Sequence, residues 1–277
     1  MNHLHRELAP ISASGWEEID KEASGTLKTS LGARRIVDFV GPKGWDFAAV
    51  ATGRTQGVAP PVKGALEARL RLVLPLVELR VPFEIERTEL DAISRGAKDP
   101  DTDPVIAAAR EIAIAENNAI FHGYAAAGIR GICEGGAARA VPFTDDFTAF
   151  PNAVASAKTK LRDAGVDGPY AVALSERAYT ALSETTDDGY PVLEHMRRLV
   201  DGPLVWTPGL DGAAVVSMRG GDFELTVGED FSIGYTSHDA RVVRLYIEES
   251  FTFWLLSDQA GVPLTRRGAR TSEKTRG

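Results

Sequence analysis

The side chains best suited to chemistry in this chain are five histidines (His3, His5, His122, His195 and His238), one cysteine (Cys133) and an acidic turn, "ETTDDGYP", from Glu184 to Pro191. None falls into a catalytic spacing. The sequence has no G-x-S-x-G elbow, no H-E-x-x-H pair, no Walker A loop and no G-x-G-x-x-G turn. His3 and His5 can chelate a metal weakly, but a solvated segment is the simpler reading and no metal site is assigned. His122 closes a helix, where an imidazolium suits the negative end of the dipole. His195 shares a polar helix face with Arg197 and Arg198. A lone Cys133 excludes an intrachain disulfide framework, suits a reducing compartment, and reads as packing volume rather than a nucleophile. Asp187-Asp188-Gly189 is a turn signal between two helices. A ring of such loops about a symmetry axis can also set charge selectivity for ions.

A second stretch invites a ligand-loop reading: "RGGDFELTVGEDFSIGY", Arg219 to Tyr235. A phosphate loop needs a helix after its glycines, and no helix signal follows. A calcium loop needs oxygen ligands at fixed offsets that are missing here. Phe223, Leu225 and Val227 alternate with polar residues, and Phe231, Ile233 and Tyr235 form a second alternating set, so the expectation is two paired strands.

The elements that would position these residues are mixed. Ser14 and Glu17 have capping-box spacing ahead of Trp16, Ile19, Ala23, Leu27 and Leu31 at helical intervals. Asp103-Pro104 predicts an N-cap and first helical position for a long helix through Val105, Ala109, Ile112, Ala113, Glu116 and Ile120. Further helices are expected over 151–164, 176–183 (capped by Ser175) and after Pro191. "PYAVAL", "GPLVWT", "AAVVSM", "DFELTVG" and "RVVRLYIEESFTFWLLS" read as strands, which makes the chain α+β. Residues 52–64 are rich in glycine and proline, and the following segment alternates from Leu66 through Leu74 and on to Ile85. That pattern predicts a projecting β-hairpin with little core of its own, and an isolated hairpin is marginal in water.

Hydrophobic residues make up 44% of the 277 positions, enough for a sizeable core. The net charge is −8, and the last twelve residues carry five basic side chains against one acid, leaving about −12 on the rest. This balance argues against a nucleic-acid-coating surface. Neither a signal peptide nor an apolar run of membrane-spanning length is read, so the expected setting is cytoplasmic, with no nucleic-acid or membrane partner.

Collinear blocks carry a family resemblance: "RELAPIS", "WEEID", "ARRIVDFVGPKGW", "LPLVELRVPFEIERTELD", "AGVDGPYAVALS", "DDGYPVLEHMRRLVDG", "RGGDFELTVGEDFSIGY" and "VRLYIEESFTFWL". In these blocks, spread from about residue 6 to 264, the chain resembles encapsulins, the linocin-type shell proteins of bacterial nanocompartments. The resemblance implies the HK97-type fold of tailed-phage major capsid proteins. It maps a discontinuous peripheral domain to 1–45, 76–133 and 223–265, an extended arm to 46–75 and an axial domain to 134–222. Residues 266–277 would be a disordered basic tail.

By the same resemblance, the chain is a self-assembling subunit of an icosahedral shell of about 60 copies (T=1), not an enzyme. The shell would enclose a dye-decolorising peroxidase or a ferritin-like protein held by a short C-terminal peptide. The implied peptide groove is lined by Leu27, Arg34, Val37 and Asp38 on one side and Asp230, Phe231, Ile233 and Tyr235 on the other. Asp187, Asp188, Gly189 and Tyr190 match the family's five-fold pore loop. One departure concerns flavin, which some members stack on a tryptophan: the matching position here is Thr88, so no cofactor is expected. A phage-type major capsid protein shares the fold and is the alternative; a hydrolase or protease is disfavoured for want of a nucleophile–base pair.

Overall fold

Helix α1 (Ala13–Ser30) is capped by Ser12, whose hydroxyl accepts the Gly15 amide at 3.1 Å in the computed structural model, which describes residues 3–266. Ser14 lies inside the first turn, so the expected Ser14–Glu17 capping box gives way to a cap two residues earlier. Ile19, Ala23 and Leu27 form the buried stripe of α1. The chain then passes through a tight 3-10 turn at Ala33–Arg35 into β1 (Asp38–Val40).

The projecting hairpin is β2 (Ala49–Val58) paired antiparallel with β3 (Ala68–Pro75), an isolated two-stranded ribbon. Its pairing slips between Ala51 and Thr55, where Gly53 adopts a positive φ of 70°. Leu66 and Leu70 are each more than half exposed, so the outer part of the apolar alternation read from the sequence finds no cover among the described residues, whereas Leu72 and Leu74 are half-buried.

Strand β4 (Val77–Glu86) runs straight into α2 (Arg87–Ser94), and the long α3 (Asp103–His122) follows. The cap of α3 is Thr102, one position ahead of the expected Asp103, with Pro104 in the first turn where its missing N–H costs nothing. The remaining elements are α4 (Ile132–Gly135), β5 (Val141–Phe143), α5 (Phe150–Asp163), β6 (Tyr170–Leu174), α6 (Glu176–Glu184), β7 (Thr186–Asp187), β8 (Tyr190–Pro191) and α7 (Val192–Leu199). Ser175 caps α6 by accepting the Ala178 amide at 3.2 Å. Strands β9 (Leu204–Trp206), β10 (Ala213–Ser217), β11 (Phe223–Val227), β12 (Ser232–His238), β13 (Val242–Leu255) and β14 (Gly261–Arg266) complete the described chain.

Two five-stranded sheets organise these elements. In the first, β13 is the spine. Strand β4 covers one of its edges over ten residue pairs; β11 and β12 lie end to end along the other, and β1 adds to β11 in parallel. The stretch 219–235 is therefore not two strands paired with each other. It is one interrupted strand: the Gly228 amide donates to Ser250 O and the Ser250 amide donates to Glu229 O, bridging the break between β11 and β12. Helices α1, α2 and α3 close one face of this sheet over Ile19, Leu27, Phe83, Ile85, Ile112, Ile233 and Leu245.

The second sheet runs β5-β14-β10-β6-β9. Every residue of β6 and β10 is buried, as expected for strands covered on both faces, which explains their unbroken apolar sequences. Strand β14 sits between β5 and β10. Residues 261–265 thus join the sheet of segment 134–222 rather than the sheet of 223–260, a correction to the sequence-based division. Arg266 ends that strand and hydrogen-bonds Asp145, so the first residue assigned to the basic tail belongs to the sheet. Residues 267–277 lie outside the described residues.

Candidate functional site

Helix α1 and the segment that enters β12 form the two walls of a groove of about 450 Å³. Asp20, Ala23, Leu27 and Lys28 come from the helix and Leu31 from its C-cap; Asp230, Phe231, Ser232 and Ile233 come from the opposite wall, with Ile247 of β13 between them. Helical spacing explains the first set, since residues three and four apart share a face. Alternation explains the second, since Phe231 and Ile233 point the same way. Leu4, Arg6 and Arg34 also line it. The Tyr235 amide donates to Leu4 O at 2.8 Å, so the segment before α1 docks on β12. Arg6 reaches Asp20 at 2.7 Å and stacks 3.9 Å over the Trp16 ring.

One end of the groove is electrically unusual. Arg34 bonds Glu116 at 2.6 Å, Asp230 at 2.8 Å and Glu249 at 3.1 Å. The Glu116 and Glu249 side chains are fully buried, whereas Asp230 is only partly so. One cation thus serves three carboxylates. Burial works against charge on Arg34, but attraction and hydrogen bonding from Glu116, with Glu249 and Asp230, prevail and hold its pKa above the usual value. Burial raises the Glu116 carboxyl, with Arg34 opposing; burial and then the Glu116 charge push Glu249 well above the ordinary range. Arg34 also lies 4.5 Å over the Phe231 ring and 5.1 Å over Phe39.

The buried Asn117 holds the turn that presents Arg34. Its Oδ1 accepts the Ala33 amide at 3.0 Å, and its Nδ2 donates to Ser30 O and Pro208 O at 2.8 and 2.9 Å. Neither Asn117 nor the pairing of Glu116 and Glu249 with Arg34 was anticipated. The signal for Glu116 was present: a carboxylate on the apolar stripe of α3 needs a buried cation.

Of the eight predicted groove residues, Leu27, Arg34, Asp230, Phe231 and Ile233 meet there. Val37 and Asp38 do not. They line a separate hollow of about 60 Å³, and Asp38 Oδ2 accepts the Gly221 amide at 2.6 Å, tying β1 to the glycine turn before β11. Tyr235 adjoins the groove through its backbone, while its hydroxyl pairs with His238 Nδ1 at 2.6 Å.

The acidic turn is a two-residue hairpin. Thr186 and Asp187 pair with Pro191 and Tyr190, leaving Asp188 and Gly189 as the loop with φ of 47° and 80°. Positive φ at both central positions is the type I′ geometry that favours Asp-Gly. Asp187, Asp188, Gly189 and Tyr190 are all exposed, and Arg198 lies 5.2 Å over the Tyr190 ring. Thr88 is exposed in the first turn of α2. His122 departs from its expected role: Nε2 accepts the Asp211 amide at 2.9 Å, and burial lowers its pKa, so it serves as a neutral acceptor rather than an imidazolium. Burial pushes the Cys133 thiol up to about 12, out of the nucleophilic range. No described helix is long and apolar enough to cross a membrane.

Solved structures share this architecture. A virus-like particle from Pyrococcus furiosus matches 90% of this chain and 98% of its own at a TM-score of 0.60 and 12% identity. Mycobacterium phage Cain matches 86% and 90% at 0.53 and 14%. The two sheets with their projecting hairpin thus define the α+β, HK97-type capsid fold. Sequence comparisons narrow the class. The family described as "Encapsulating protein for peroxidase" matches residues 1–252. A type 1 encapsulin shell protein of Rhodospirillum rubrum is 56% identical over 270 residues, covering 95% of this chain and 96% of its own. Another, from Mycolicibacterium paratuberculosis, is 50% identical over 265 residues, covering 96% and 100%. The chain belongs to the encapsulin family of shell proteins.

Proposed function

We propose that the groove between α1 and the start of β12 docks a short, largely apolar peptide carried by a cargo enzyme, and so loads that enzyme into the shell. The observation that carries this reading is the groove itself: an apolar lining of Leu27, Phe231 and Ile233, with the Arg34–Asp230 pair able to read a polar group at one end. A peptide held by a few pockets binds modestly, but many copies on one inner wall raise retention by multivalency. The chemical class of cargo that fits is an oxidoreductase, a dye-decolorising peroxidase or a ferritin-like protein, bearing the peptide at its C-terminus. About 60 copies would close the shell, with the exposed hairpin of β2 and β3 burying its apolar face on neighbouring subunits. The Asp187–Tyr190 turn would ring the five-fold pore. The role is structural rather than enzymatic, the setting cytoplasmic, and Thr88 provides no ring on which a flavin could stack.

Co-expression of the shell with a dye-decolorising peroxidase, with and without its C-terminal peptide, tests the assignment. Purified shells should retain peroxidase only when the peptide is present, and Phe231→Ala should reduce the amount retained. Equal loading by both enzymes would discard the groove as the docking site.

A further inference from the structure

We propose that His3, Glu229 and Glu248 form a divalent-cation site beside the groove. Their ligand atoms lie within 4.8 Å of one another, the one such group of histidine and carboxylate side chains among the described residues. His3 Nε2 is 2.8 Å from both oxygens of Glu229 and 3.5 Å from Glu248 Oε1. Nitrogen and oxygen ligands about 2.0–2.2 Å from a shared ion stand about 3–3.5 Å apart, so the group needs adjustments of only fractions of an ångström to close on a metal.

The second observation is independent of the clustering. The Glu248 side chain is 2% exposed, and its Oε1 has no hydrogen-bond donor among the described residues. Its other oxygen is taken, accepting Arg80 Nε at 2.9 Å across the β4–β13 pair. A buried carboxylate oxygen without a donor is costly, and a cation supplies what it lacks.

The three side chains are also held in place before any ion arrives. Glu229 sits at the break between β11 and β12, where its amide donates to Ser250 Oγ at 2.9 Å; such interruptions re-aim side chains out of the regular pleat. The His3 ring stacks on Trp45 at 4.6 Å with only 13° between planes. Two carboxylates stand against the single charge of Arg80, a balance that favours a divalent ion. One imidazole and two carboxylates suit a borderline first-row metal such as zinc rather than magnesium, and three protein ligands leave a position for water.

Metal there would fix the segment before α1 to β13. Leu4, the next residue, lines the groove, so cation binding and groove shape are joined through one residue step.

Chelator-stripped, assembled shells of the full chain should be titrated with Co²⁺ and followed by ligand-field absorption, with Zn²⁺ as competitor. The expected result is one Co²⁺ per chain, displaced by Zn²⁺. His3→Ala and Glu229→Gln should each weaken binding at least about tenfold, the loss that even an outer-shell change produces. His5→Ala, which alters an exposed neighbour outside the cluster, should leave it unchanged. Both metal-site substitutions are at partly exposed positions, and particle size by light scattering confirms assembly. No Co²⁺ uptake by the unaltered shell, or uptake equal in all four proteins, overturns the proposal.

Discussion

Arg34 and Glu116 stand 82 residues apart in sequence and meet at 2.6 Å, the guanidinium largely and the carboxylate wholly withdrawn from solvent. Because Glu249 shares the same cation, removing Arg34 leaves two buried carboxylates uncompensated. Breaking one partner out of a buried pair costs about 3–5 kcal/mol. Arg34→Ala should therefore lower the unfolding midpoint by roughly 10 °C. Arg34→Lys should fall between, because one ammonium cannot fork across three carboxylates. Thermal unfolding of the purified proteins measures both; midpoints within a degree or two of the unaltered chain would show that the cluster is not stabilising.

The same cluster predicts a pH dependence through Glu249. Its carboxyl is raised well above 4.5 in the folded chain, by burial and by Glu116, so the folded state holds the proton more tightly than the unfolded one. Such a group contributes stability fully below the unfolded carboxyl range, and the contribution is lost as pH rises through the raised folded value. A proton on Glu249 also lets its carboxyl donate a hydrogen bond to Glu116. Glu249→Gln keeps the shape and cannot ionise. Its unfolding midpoint should gain on that of the unaltered protein as pH is raised from about 5 to about 8. Parallel curves would mean that Glu249 takes no part. The surface carboxyl of Asp239, held below its ordinary range by the amides of Arg241 and Val242 and by Arg244, acts in the opposite sense, and only in more acid solution.

Within the groove, Phe231 is the cleaner probe. Ile233 and Leu27 are buried in the core beneath α1, so truncating either confuses docking with stability, at about 2–5 kcal/mol per residue. Phe231 is only half buried. Phe231→Ala should cut cargo per shell severalfold while particle diameter and unfolding midpoint stay near those of the unaltered shell. Cargo quantified by gel densitometry on sized particles checks this, and full loading would remove Phe231 from the docking surface.

Local signals explain how much of this was legible. Alternation from Leu66 to Ile85, the Asp-Pro helix start, the Ser175 cap and the Asp-Gly turn all act within a few residues, and each marks an element found in the structure. Contacts that close the fold are another matter. Arg34–Glu249 spans 215 positions and His3–Glu229 spans 226, and no spacing rule reaches so far. The end-to-end placement of β11 and β12 was hidden for a related reason. Alternation reports which side a residue faces but not which strand lies beside it, and both strands alternate whether they pair with each other or with β13. Val37 and Asp38 were misplaced because β1, two residues beyond the Arg34 turn, has already crossed to pair with β11.

The hairpin of β2 and β3 gives a prediction about assembly rather than folding. Leu66 and Leu70 are 51% and 57% exposed, and among the described residues the strands of the ribbon pair only with each other. Substituting both with Asp removes no buried contact, so circular dichroism should be unchanged. If neighbouring subunits cover this face, each charge must be desolvated on assembly, at several kcal/mol per subunit. Electron microscopy should show loss of closed particles in favour of small oligomers. Normal particles would exclude this face from the subunit contacts.

The acidic hairpin allows charge to be separated from shape. Asp188 lies at a φ of 47°, a conformation that asparagine also tolerates, so Asp188→Asn with Asp187→Asn should keep the turn while removing two charges per subunit. Gly189→Ala perturbs the other variable. Nothing lies within 4 Å of a Cβ built there, so its cost is the conformational one of a φ of 80°, about 1–2 kcal/mol. If these turns ring a pore, negative charge concentrates cations at its mouth. Entry of Co²⁺ can be timed by quenching of a dye loaded in the lumen, with a neutral quencher as reference. The double Asn variant should slow the cation severalfold and leave the neutral quencher unaffected, whereas Gly189→Ala, which reshapes the turn, should alter both. Equal Co²⁺ rates in the Asn variant and the unaltered shell would place the turn away from the path of ions.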